Sequence, residues 1–137
     1  MRGGAAGRYA LGSLTTAVSA AIGMLLVVGL DPRALGWALA GWAWMTLVGV
    51  GGGAWIAARH GDPGPGFLKA LGTCILSRLA GAAGGAALAA SHGADAVWPY
   101  LAGLGTGFVP LQVFEIGWFL RRSRGWTVAR GGDALGH

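Results

Sequence analysis

The stretch YALGSLTTAVSAAIGMLLVVGL, residues 9–30, carries no charged side chain and is long enough to cross a lipid bilayer as one helix. A helix rises 1.5 Å per residue, so about 20 apolar residues cover a hydrocarbon core of about 30 Å. Three further stretches of similar length and apolar character follow at 34–58, 66–90 and 96–120. The sequence therefore predicts an all-α, polytopic membrane protein with four transmembrane helices in an antiparallel bundle.

The composition agrees with a chain that is embedded in lipid. Hydrophobic residues make up 54% of the 137 residues and charged residues only 11%, against about a quarter in soluble domains. A chain of this length has room for one bundle and for no separate catalytic domain. We find no nucleophile paired with a base, and the three histidines are far apart, so we expect neither enzyme activity nor a cofactor or metal site.

The distribution of basic residues predicts the topology, because short loops rich in Lys and Arg stay on the cytoplasmic side. One set of loops and ends holds Arg2, Arg8, Arg59, Lys69, Arg121, Arg122, Arg124 and Arg130, whereas the other set holds only Arg33. We therefore expect a cytoplasmic N-terminus at 1–8, a transmembrane domain at 9–120 and a basic cytoplasmic tail at 121–137. The expected location is the bacterial inner membrane, and the net charge of +5 reflects topology and not nucleic-acid binding.

The first apolar stretch has an alternative interpretation as a cleavable signal peptide. It follows two arginines and contains the small-residue run AVSAA at 17–21. The stretch continues for nine more residues beyond that run, which is longer than a signal peptide requires. We expect it to be retained as a membrane span.

Glycine is unusually frequent, at 28 residues, and several glycines recur at four-residue spacing within the predicted spans. In lipid, small residues let helix backbones approach closely, since van der Waals contact replaces the hydrophobic drive between helices. The pairs are Gly49 with Gly53, Gly81 with Gly85, and Gly103 with Gly107. We expect these faces to pack helices within the bundle, with a contact between copies in a homo-oligomer as the alternative.

Arg78 lies about halfway through the third span, about 17 Å from its cytoplasmic start at 1.5 Å per residue. A charge at this depth costs at least about 2.5–3.5 kcal/mol unless it finds a partner or water. Gln112 and Glu115, three residues apart on one face of the fourth span, lie about 13 Å and 8 Å from its cytoplasmic end. These three residues are the candidate intramembrane polar cluster.

The direction of the side chains indicates that Arg78 can reach Gln112 and Glu115. Side chains lean toward the N-terminus of their helix, so Arg78 leans inward and Glu115 leans outward on two antiparallel helices. A pair that only sets helix register is one interpretation, and Arg78 snorkelling alone to the interface is another. The functional alternative is a group that acts on an ion, a proton or a partner subunit.

The stretch 67–122 resembles the second hairpin of the small four-span proteins called ATP synthase protein I, or I chain. The shared features are Lys69 before the third span, Arg78 within it, and Glu115-Ile116 before Arg121-Arg122 at the end of the fourth. The first hairpin lacks the asparagine or proline that often interrupts the second span of those proteins. The resemblance implies a non-catalytic accessory of a rotary ATP synthase, which helps the ring of rotor subunits assemble and has a proposed link to magnesium.

A second resemblance concerns the start of the chain. The run GGAAGRY at 3–9 is similar to the opening of small four-span fluoride channels, but the chain has no asparagine, which those channels need in their second span. Our first interpretation is thus an accessory or assembly subunit in contact with the lipid bilayer and other membrane-protein subunits, with no nucleic-acid partner. The alternative is a small ion transporter or channel, either monomeric or dimeric, that uses Arg78, Gln112 and Glu115. A structural subunit of another membrane complex is the third interpretation.

Overall fold

A computed structural model describes residues 3–27, 31–59 and 64–133, with side chains described up to residue 121. Four helices account for nearly all of them: α1 (Gly3–Val27), α2 (Pro32–Arg59), α3 (Gly66–Ser91) and α4 (Ala94–Asp133). The protein is an all-α four-helix bundle. The first three helices are long and apolar enough to cross a membrane.

The fourth helix differs from the other three in length and composition. It runs for 40 residues, about 60 Å, and holds Pro99 and Pro110 as well as Gln112 and Glu115. These residues lower its mean hydropathy, and α4 is not among the helices that meet the criteria of length and composition for a membrane span. The expectation of four equivalent spans is therefore met for three helices.

The helices extend beyond the predicted spans at several ends. α1 begins at Gly3, inside the segment 1–8 that we assigned to the N-terminus, and α4 continues through 121–133 of the basic tail. Residues 1–2, 28–30, 60–63 and 134–137 lie outside the described part of the chain. The predicted spans follow the apolar stretches of the sequence, whereas backbone hydrogen bonding lets a helix continue past the last apolar residue, so the two sets of boundaries differ.

Local chemistry explains the ends of the helices. Asp31 lies just before α2, where its Oδ1 accepts a hydrogen bond from the Arg33 backbone N–H at 3.3 Å, and Pro32 occupies the first helical position. Between α3 and α4, Gly93 adopts a φ of 119°, a left-handed value that favours glycine. This tight connection turns the chain back and makes α3 and α4 antiparallel neighbours.

The centre of the bundle is the pair α2 and α4. Each of these two helices packs against all three others, whereas α1 and α3 make no contact with each other in the described residues. α2 and α4 are separated by one hairpin, so they run in the same direction. The closest helix contact is thus parallel, although every connection in the chain joins antiparallel neighbours.

Glycines allow this parallel pair to approach closely. A Cβ atom on Gly103 would collide with the backbone carbonyl of Ala38, and one on Gly41 would collide with the backbone carbonyl of Tyr100. Further along, a Cβ on Gly49 would lie 2.8 Å from Leu111 Cδ1. Backbone meets backbone at the crossing point, which is the geometry that small residues permit in lipid.

Candidate functional site

Arg78 reaches from α3 to α4 and contacts both polar residues of that helix. Its Nη1 donates to Gln112 Oε1 at 3.1 Å, and its Nη2 donates to Glu115 Oε2 at 3.1 Å. The side chains of Arg78 and Glu115 are 14% and 11% exposed. The structure therefore brings together the three residues of the predicted polar cluster as a mostly buried ion pair with a bridging amide.

The helix geometry that produces this cluster is simple. Gln112 and Glu115 are one turn apart on α4, so their side chains stack on one face and present two acceptor oxygens to a planar guanidinium group. The Arg78 guanidinium also lies 5.8 Å from the ring centroid of Phe108, one turn before Gln112 on α4. Hydrogen bonds and the aromatic face together replace the hydration that the charge loses.

A group of aromatic side chains lies beside the polar cluster and includes Tyr9 of α1. Tyr9 is only 1% exposed, and its ring packs edge-on against Phe114 and Trp118 at centroid distances of 5.6 and 5.7 Å. Tyr9 also lies within electrostatic reach of Arg78 and Glu115. α1 thus places an aromatic side chain near the ion pair, with its polar end inside the bundle.

Space for that aromatic ring comes from α2. A Cβ on Gly53 would collide with the Tyr9 hydroxyl group. Just before it, Gly52 faces Cys74 of α3, whose Sγ lies 3.8 Å from the Val48 carbonyl oxygen. Consecutive glycines on α2 therefore accommodate α1 on one side and α3 on the other, at the depth of the ion pair.

All six predicted packing glycines lie at contacts between helices. Gly49 and Gly53 of α2 face Leu111 and Tyr9, Gly81 and Gly85 of α3 face Trp44 and Tyr100, and Gly103 and Gly107 of α4 face Ala38 and Met45. These contacts lie within the one chain. Sequence reasoning missed Gly12, Gly41 and Gly52, which also meet neighbouring helices, because they have no glycine partner four residues away on an inward face.

An open groove of about 430 Å³ runs beside the ion pair, between α2, α3 and α4. Its walls are Ile56, Phe67, Leu71, Gln112, Glu115, Ile116, Phe119 and Leu120. Six of these eight residues are apolar. Gln112 and Glu115 therefore form a small polar patch, with hydrogen-bond donor and acceptor groups, in an otherwise apolar surface. The groove makes one edge of the cluster reachable from outside the bundle.

The half of the bundle near the connection between α3 and α4 is packed differently. There α3 presents glycine and alanine, and Tyr100 of α4 donates from its hydroxyl group to the Gly81 carbonyl oxygen at 2.7 Å. Around Tyr100 the core consists of Met45, Ala89, Ala96 and Leu104. Among the described residues, no second charged group continues the polar cluster toward this end of the bundle.

The chemistry open to the site follows from these contacts. The described residues contain no group of three or more His, Cys, Asp or Glu side chains that could hold a metal ion. The cluster itself can hold helices in register, and Glu115 can accept a further hydrogen bond from the groove. No protein-family model, curated protein or solved structure matches the chain.

Proposed function

We propose that this small polytopic membrane protein is a non-catalytic accessory or assembly subunit of a larger membrane complex. One observation supports this function above the others: the charge of Arg78 is matched inside the bundle by Gln112 and Glu115. A charge pair buried in this way holds α3 and α4 in one register. The protein then offers partners a defined shape and not a route through the bilayer.

The outward faces of the bundle supply the surface that such a subunit needs. Exposed large apolar side chains follow α1 at Leu11, Val18 and Ile22, and follow α3 at Leu76 and Leu79. α1 and α3 lie on opposite sides of the central pair, so both faces are available at once. Each face can be covered by lipid or by a helix of another subunit.

The resemblance of 67–122 to ATP synthase protein I leads us to propose a rotary ATP synthase as the complex, with the rotor ring as the point of contact. In this proposal α4 crosses the bacterial inner membrane as the fourth span and both termini are cytoplasmic. The basic residues at the inner helix ends support that orientation. The contribution to assembly comes from the apolar outer faces of the bundle.

A photo-crosslinking experiment tests this function in native membranes. A photoreactive phenylalanine analogue replaces the exposed Leu11 on α1 or Leu76 on α3, and each adduct is identified by mass spectrometry. We expect an adduct with a rotor-ring subunit from at least one of these faces. The exposed Val113 on α4 serves as the matched site on a third face. Adducts with lipid alone from all three sites would contradict the accessory function.

A small ion transporter or channel is the second candidate, because Gln112 and Glu115 line an open groove and are reachable from outside the bundle. A transporter must also connect that site to the opposite face. In the described residues the half of the bundle near the connection between α3 and α4 is closed around Tyr100. This function therefore requires a rearrangement of α3 against α4. Purified protein in liposomes distinguishes the candidates: ion or proton flux that Glu115→Gln abolishes would support the transporter.

A further inference from the structure

The groove between α2, α3 and α4 has polar groups that the ion pair leaves unused. Arg78 takes one oxygen of the Glu115 carboxylate, Oε2, and the carbonyl oxygen of the Gln112 amide. In the part of the chain that the structure describes, no donor reaches Glu115 Oε1 and no acceptor reaches Gln112 Nε2. Both side chains line the groove. The groove therefore presents one free acceptor beside one free donor.

The charge balance limits what can bind there. Glu115 is already neutralised by Arg78, so a cation entering the groove would leave a net positive charge in a medium of low dielectric constant. An anion would meet the same penalty with the opposite sign. A neutral molecule avoids both penalties. A hydroxyl group fits the two free positions, since it can donate to Glu115 Oε1 and accept from Gln112 Nε2.

The remaining walls define the body of the ligand. Phe67 and Leu71 of α3 face Ile116 and Phe119 of α4, and Ile56 of α2 contributes a further apolar side chain. The volume of about 430 Å³ falls within the range of about 300–1,000 Å³ that is typical of small-molecule sites. These walls fit a ligand whose body is an apolar ring or hydrocarbon chain.

We propose that this groove binds a neutral, lipid-soluble molecule that carries a hydroxyl group on an apolar body. The hydroxyl group lies against Glu115 and Gln112, and the apolar body lies between α3 and α4. The ligand enters sideways from the bilayer, because the groove is open at the surface of the bundle. This site is separate from the assembly function, which depends on the outer faces of α1 and α3.

A matched pair of probes tests the proposal on the full chain in phosphatidylcholine nanodiscs. 4-Octylphenol carries the hydroxyl donor, and 4-octylanisole has the same body with that donor methylated. Each is added at the same mole fraction in the lipid, and the unfolding temperature of the protein is measured. We expect 4-octylphenol to raise the unfolding temperature in a concentration-dependent manner and 4-octylanisole to leave it unchanged.

Two tryptophan variants of α3 locate the effect. Leu71→Trp fills the groove, whereas Leu76→Trp adds the same bulk at an exposed position that does not line it. The shift with 4-octylphenol should disappear in Leu71→Trp and persist in Leu76→Trp. Equal shifts of the unfolding temperature in both variants would overturn the proposed binding site. A wild-type chain that responds to neither probe would also overturn it, since lipid acyl chains would then fill the groove. A larger shift with the cationic 4-octylbenzylammonium would overturn the choice of a neutral ligand.

Discussion

Tyr100 of α4 donates a 2.7 Å hydrogen bond from its hydroxyl group to the backbone carbonyl oxygen of Gly81 on α3. The ring reaches this carbonyl because the next turn of α3 carries Gly85, where a Cβ would collide with the Tyr100 hydroxyl group. Arg78 joins the same two helices nearer the other end. Among the described residues, polar side chains therefore join α3 to α4 in both halves of the bundle.

Substitution of Gly85 should loosen the half of the bundle near the connection between α3 and α4. Gly85→Leu places a side chain where the Tyr100 ring lies, so we expect a marked loss of thermal stability in detergent. Gly84→Leu is the matched control, since a Cβ at that position meets nothing within 4 Å. Equal stability of the two variants would show that the Tyr100 contact does not hold α3.

The hydrogen bond of Tyr100 should contribute less than the fit of its ring. Tyr100→Phe keeps the ring and removes only the hydroxyl group, and hydrogen bonds between membrane helices contribute about 0.6 kcal/mol on average. We expect a loss of that order in the free energy of unfolding, measured by titration with a denaturing detergent. A loss as large as that of Gly85→Leu would assign the stability to the hydrogen bond instead.

The parallel contact of α2 and α4 should be the most sensitive to added volume. Gly103→Ala directs a methyl group at the backbone carbonyl of Ala38, which cannot move without shifting the helix. Overpacking of this kind costs about 1–3 kcal/mol. Gly105→Ala, on the same helix with open space beside it, should leave the unfolding free energy nearly unchanged. Leucine at position 103 should destabilise the bundle further.

The ion pair can be tested by a double-mutant cycle on Arg78 and Glu115. Each single change to leucine leaves a buried charge without its partner, which costs about 3–5 kcal/mol in soluble proteins and less in a bilayer, where snorkelling softens the loss. We expect Arg78→Leu and Glu115→Leu each to lower stability or assembly and the double variant to recover part of that loss. The measurement is the free energy of unfolding of all four chains.

Simple additivity of the two effects would mean that the residues do not interact energetically. Arg78 would then serve a partner subunit, a lipid headgroup or a water-filled path. In that case Arg78→Lys should preserve function better than Arg78→Leu, and Glu115 should be dispensable.

Reporter fusions test the proposed topology. Fusions after Arg59 and after Arg124 should report the cytoplasmic side, and a fusion at His92 should report the external side. An external report from the fusion after Arg124 would contradict both the loop-charge argument and the assignment of α4 as a span.

Helix number and the level of the polar cluster could be predicted from the sequence because both depend on local quantities. Apolar stretches of about 20 residues define α1, α2 and α3. The depths of Arg78 and Glu115 and the lean of their side chains follow from the rise per residue and the geometry of the Cβ atom. Short connections also predict which consecutive helices are neighbours.

The central position of α2 and α4 could not be predicted in this way. Loop lengths do not predict contacts between helices that are not consecutive in the chain, such as α2 and α4. The four-residue spacing of glycines does not predict which helix a glycine face contacts. The burial of Tyr9 could not be predicted for the same reason, because it depends on Gly53, 44 positions away on another helix. Such contacts depend on how complete side-chain surfaces fit together, which no single segment contains.

The parallel pairing of α2 with α4 also bears on biogenesis. Chains are made from the N-terminus, so α1, α2 and α3 leave the ribosome before the central partner exists. During that interval Arg78 has neither of its acceptors, and the glycine face of α2 has no helix against it. Translation of α4 therefore supplies in one step the charge match and the close backbone contact, so a chain truncated before Ala94 would be a ready substrate for membrane proteases.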